Sequence, residues 1–139
     1  MILINKKILV SFRKLHRYLT MKIQQEKLLS KECIGQLLAI RDTMELLSGK
    51  WKIQIIGTLL RGGTMRFMEL KRSLNGIAPK KLSNDLQELE LNKLITRTVK
   101  ETKPITVEYS LTEHGKTLDN LIGEVIDWGQ NHRSEIIKK

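Results

Sequence analysis

The stretch FMELKRSLNGIAPKKLSNDLQELELNKL, residues 67–94, decides the fold of this 139-residue chain. Phe67, Leu70 and Leu74 recur at helical spacing and predict a brief helix, which the turn-forming pair Asn75-Gly76 brings to an end. Pro79 suits the first turn of a second helix, where its missing N–H goes unneeded and its φ is already helical. Leu82, Leu86 and Leu89 then form one apolar stripe that persists to about Asn92. With those leucines turned inward, Lys80, Lys81, Ser83, Asn84 and Gln87 fall on the outer and flanking faces. A short helix, a tight turn and a second helix with a polar, cationic outer side make a helix-turn-helix pattern.

Beyond residue 94 the period changes. Ile105, Val107, Tyr109 and Leu111 alternate with Thr106, Glu108 and Ser110, which predicts a strand with one buried face. Residues 95–100 supply a partner strand, and Thr102-Lys103-Pro104 sits near the turn between the two. Thr112 can cap a final helix whose apolar face carries Leu118, Leu121, Ile122, Val125 and Trp128 or Gly129. On the N-terminal side, residues 32–48 predict a first core helix from Leu37, Ile40, Met44 and Leu47, stopped by Gly49. Trp51, Ile55, Ile56 and Leu59 mark a second helix, ended by Gly62-Gly63. Residues 64–66 are too short to assign. The whole reads as a mainly α protein with a small β-hairpin, a winged helix-turn-helix with too few elements for a doubly wound sheet or a barrel.

The formal net charge is +10, and its distribution is uneven. Residues 1–20 hold five basic and no acidic side chains, residues 64–104 nine against five, and residues 105–139 four against six. A basic central segment suits a polyanion, because every phosphate neutralised by Lys or Arg releases condensed counterions. Residues 1–20, basic and apolar with Met21 directly after them, read as a disordered or helical extension, native or upstream of a natural start at Met21, ahead of a domain at residues 21–139; an interfacial membrane helix is the rival reading. No apolar run reaches the roughly 18 residues that span a bilayer, and the charges interrupt any signal-peptide core. The single cysteine, Cys33, cannot form an intramolecular bridge, so a reducing cytoplasm is expected.

These residues point to duplex DNA as the partner. Lys contacts phosphate or guanine, Asn and Gln pair bidentately with adenine, and Ser serves either role, so Lys80, Lys81, Ser83, Asn84 and Gln87, with Pro79 opening the helix, form the candidate reading surface. Lys100 and Lys103 near the hairpin turn, Arg97 on the approach to it, and Arg66 before the bracing helix are candidates for phosphate contacts. An enzyme is not expected: one Cys and three His come with no Gly-rich phosphate loop, metal-ligand spacing or paired catalytic carboxylates. No metal and no cofactor is implied. The rival reading is a winged helix used for protein or RNA contact, and single-strand recognition would want exposed aromatics for stacking.

Several motifs together resemble the HxlR family of bacterial regulators, relatives of the MarR winged-helix group, over roughly residues 33–128. They are Gly49-Lys50-Trp51, Arg66-Phe67-Met68-Glu69-Leu70, Gly76-Ile77-Ala78-Pro79-Lys80-Lys81-Leu82, the run from Leu86 to Leu89, and Val107-Glu108-Tyr109-Ser110-Leu111-Thr112-Glu113-His114-Gly115. The resemblance implies a transcription regulator acting as a homodimer, its N- and C-terminal helices packed against their counterparts. Recognition helices about 34 Å apart would then read a near-palindromic operator. Leu118, Leu121, Ile122, Val125 and Trp128 are the expected interface residues on the terminal helix. Cys33 matches a cysteine that in some members senses oxidants or electrophiles, so it stands either as a redox-sensing candidate or as a buried, inert thiol, and a small-molecule or redox effector is compatible with the family. The chain departs from the family pattern at Ile34, where proline often follows the cysteine, at Ala78, where a capping serine is frequent, and at Lys93, where glycine often ends the recognition helix.

Overall fold

The computed structural model describes residues 6–138; the first five residues of the expected N-terminal extension lie outside the described residues. Helix α1, Lys6–Leu46, passes through residues 20 and 21 without a break, so the helix expected from residue 32 begins far earlier. Of the four residues expected on its core face, only Leu47, just past its end, is buried. Leu37, Ile40 and Met44 are exposed. Helical periodicity reports that one face is apolar, not what covers it.

From Leu46 onward the chain forms a compact unit of its own. Its elements are α2 (Lys52–Gly62), β1 (Met65–Arg66), α3 (Phe67–Ser73), α4 (Pro79–Leu91), β2 (Ile95–Lys100), β3 (Thr106–Leu111), α5 (Glu113–Lys116) and α6 (Asp119–Ile137). The three strands form one antiparallel sheet in the order β1-β3-β2, with Arg97 opposite Tyr109 and Met65 on Tyr109's other side. The short β1 was not assignable from sequence, because two residues carry no period and acquire a strand identity only when β3 supplies a partner.

Local chemistry sets the boundaries. Glu69 accepts the backbone N–H of Arg66 at 2.7 Å, which starts α3. Gly76, at φ +97°, makes the turn into α4 with a backbone conformation that disfavours other residues. The end of α4 is a Schellman cap: Leu94 N–H donates to Leu89 O at 3.0 Å and Lys93 N–H to Glu90 O at 2.9 Å. Lys93 occupies the left-handed position at φ +59°, where a side chain costs about 1–2 kcal/mol relative to glycine.

The core joins Ile55, Ile56 and Leu59 of α2 to Leu70 of α3, to the α4 stripe, and to Leu94, Ile95, Tyr109 and Ile122. Leu82, Leu86 and Leu89 are 0%, 1% and 0% exposed, so the recognition helix turns its leucines inward as the sequence predicts. The buried face of the hairpin is shorter than expected: Ile105 precedes β3 and is 70% exposed, because the hairpin tip projects past the core. The single final helix predicted after Thr112 is two. Thr112 Oγ1 accepts the Gly115 N–H at 2.9 Å and caps only the one-turn α5, after which the chain bends at Thr117 and Leu118 into α6.

Candidate nucleic-acid interface

Inward leucines leave the other side of α4 to solvent. Pro79, Lys80, Ser83, Asn84 and Gln87 are all exposed, and the last four follow the i, i+3, i+4, i+7 spacing of a single helix face. Ala78 at the N-cap has no side chain able to bond the first turn, so N–H groups at this end stay available to an anion. The α3–turn–α4 unit therefore presents a polar helix face whose donors and acceptors match base edges and phosphates.

The inner flank of α4 holds a charge cluster that the sequence analysis missed. Asp85 is 1% exposed and its Oδ1 accepts from Lys81 Nζ at 2.6 Å. One helical turn on, Glu88 pairs with the buried Lys52 of α2. The hydrogen bond to Asp85 holds the Lys81 ammonium above its ordinary pKa, and the bond to Lys52 holds the Glu88 carboxyl below its own. Lys81, expected among the cations free to meet DNA, is thus committed to an internal partner. The signal was present: Asp85 lies on the same helical face as Leu82 and Leu89, and four residues after Lys81.

The wing carries the other cations. Ser83 and Gln87 of α4 line, with Glu90, Arg97 of β2 and Tyr109 of β3, one open cleft of about 290 Å³, so helix and hairpin meet at a single polar surface. Lys100 ends β2 with its Nζ 3.7 Å from Glu108, a loose and exposed pair that contributes little. Lys103 is exposed at the tip, where Thr102 Oγ1 donates to Pro104 O at 2.8 Å. Arg66 stands apart: β3 lies between β1 and β2, and Arg66 lines a separate cleft with Phe67, Arg72 and Ile105.

The residues expected at an interface divide. Ile122 is 6% exposed and belongs to the core, with little surface left for a second subunit, and Leu118 packs partly buried against that core. The helix puts them on its inner face. Leu121, Val125 and Trp128 are exposed, and the Trp128 ring stacks on His132 at 4.8 Å. Cys33 is exposed, which corrects the reading of a buried thiol. No group of His, Cys, Asp and Glu among the described residues is arranged to hold a metal ion, and no described helix is long and apolar enough to cross a membrane.

Two short helices, α2 and α3, packed with a reading helix and followed by a β-hairpin, define a winged helix-turn-helix protein. Comparison with known proteins agrees. The HxlR-like helix-turn-helix family model matches residues 46–136, and the chain belongs to that family. It is 44% identical over 87 residues to the uncharacterized HTH-type transcriptional regulator YdzF of Bacillus subtilis strain 168, covering 63% of this chain and 80% of that one. It is 40% identical over 92 residues to the uncharacterized HTH-type transcriptional regulator BH0655 of Halalkalibacterium halodurans, covering 66% and 81%. Its structure is similar to the reduced form of the redox regulator HypR, with a TM-score of 0.67, 32% identity, and 73% and 99% of the two chains covered. The chain is accordingly a DNA-binding transcription regulator, and its family and relatives are regulators, not enzymes.

Proposed function

We propose that this regulator acts as a homodimer on a near-palindromic operator, reading bases with Lys80, Ser83, Asn84 and Gln87 and holding phosphates with Arg66, Arg97, Lys100 and Lys103. The observation that carries the reading is the pairing of a fully buried leucine stripe with an uncovered polar stripe on α4. Pro79 and the uncapped first turn set that stripe against the backbone of a major groove. Residues 21–139 are the functional unit, with residues 1–20 an extension ahead of it.

Selection from random duplexes tests this reading and yields the site, its symmetry and its half-site spacing together. With the selected operator, Asn84→Ala changes which sequence is preferred by about 1–3 kcal/mol at one position of each half-site. Lys103→Ala weakens all duplexes alike and flattens the log-log salt slope by about 0.9. If both substitutions weaken all sequences evenly, α4 does not read bases. A single-stranded oligonucleotide of the same sequence serves as the comparison and is bound more weakly.

The dimer rests on the exposed Leu121, Val125 and Trp128 face of α6, since large exposed apolar residues on one helix side favour a protein partner. Trp128→Ala shifts the chain toward monomer in sedimentation analysis, with a dissociation constant raised by about thirtyfold, equivalent to about 2 kcal/mol. An unchanged constant places the interface elsewhere. An oxidising or electrophilic effector would act on the exposed Cys33, a reading supported by the similarity to a redox regulator.

A further inference from the structure

We infer that Asp85 is a positioning residue that withholds Lys81 from DNA and thereby sets the protein's overall affinity for duplex, leaving its base preference unaltered. Lys81 sits in the first turn of α4, the part of a recognition helix nearest the phosphates. Its side chain is 47% exposed, yet its ammonium bonds Asp85 Oδ1 at 2.6 Å. Asp85 is tied to that cation: its side chain is 1% exposed, and Oδ2 has no hydrogen-bond partner among the described residues. A buried carboxylate holding one ammonium and lacking further donors keeps that ammonium close, because releasing it leaves an uncompensated buried charge.

The neighbouring pair closes the alternative partner. Glu88, one turn along the same flank, is already joined to Lys52. The flank therefore carries two cations and two anions and is neutral, while Lys80 alone supplies free positive charge to the outer face of α4. Stability does not account for the arrangement, since a buried ion pair is often no better than apolar side chains of similar volume. What the pair does uniquely is remove one cation from the set that releases counterions.

This inference rests on the DNA reading proposed above, and the test separates the two. Binding of the selected operator and of an unrelated duplex is measured across a salt series for the unaltered protein, Asp85→Asn, Lys81→Met and the double variant, each shown to be folded by circular dichroism. Asp85→Asn steepens the salt slope by about 0.9 and, near 0.1 M salt, tightens both duplexes by roughly eightfold, keeping their ratio. The double variant returns to the original slope. Lys81→Met alone lowers thermal stability but leaves the slope where it was, and this arm decides the matter if Asp85→Asn does not fold. A folded Asp85→Asn with the original slope, or a Lys81→Met slope flattened by about 0.9, overturns the assignment. Absence of salt-dependent duplex binding by the unaltered protein overturns the DNA reading itself.

Discussion

Gly115→Ala destabilises the winged helix by about 3 kcal/mol or more, beyond the usual range for added core volume. A Cβ at this position lands on the carbonyl oxygen of Leu94 and comes within 3.2 Å of Leu111 Cδ2. The obstacle is backbone, not the far end of a flexible side chain. That carbonyl also accepts the Thr112 N–H at 3.0 Å, and Thr112 Oγ1 donates to Lys93 O at 2.7 Å while capping Gly115 N–H. Displacing Leu94 therefore disturbs the end of α4, the start of β2 and the α5 cap together. Gly57→Ala is the control: its Cβ would meet Ile122 Cγ2 at 3.9 Å, an ordinary contact, and helix propensity favours alanine by up to about 1 kcal/mol. Urea unfolding of both variants measures the difference, and equal midpoints would disprove the close approach of α5 to the α4–β2 junction.

Leu86→Ala has a comparable effect by the opposite route. The side chain is 1% exposed within the core cluster, and truncating a buried leucine costs about 2–5 kcal/mol in lost transfer energy and cavity. Against a typical total of about 5–15 kcal/mol, this leaves a marginal domain. DNA binding should fall with the folded fraction and recover at lower temperature, which a reading residue would not do. Asn84→Ala, on the exposed side of the same helix, should change stability by under about 0.5 kcal/mol. A Leu86→Ala loss below about 1 kcal/mol would mean that the α4 stripe is not the packed face.

The two halves of α4 show how much could be read in advance. Its span, its start at Pro79 and its inward leucines were legible because helical period and proline geometry are local properties. The same holds for β2, whose bounds match the expected strand. The expected reading surface was legible as a by-product, since fixing the inner face of a helix fixes the outer one. What failed turned on how deeply each side chain is buried, which spacing alone does not report. Leu37, Ile40 and Met44 were expected in the core and are exposed; Ile122 was expected at an interface and is inside; Lys81 was expected to be free and is held by Asp85.

By itself, then, the order of residues determined the helix-turn-helix, the hairpin and the motifs shared with the HxlR-like family, because spacing, turn chemistry and capping act within a few positions. Only the tertiary structure decided that Met65 and Arg66 form a strand, that Gly115 must lie bare beneath Leu94, and that Asp85 is buried with its carboxylate on Lys81. Each of those depends on groups from distant parts of the chain, or on how deep one helix face sinks into the core, and a one-dimensional period carries no information about depth.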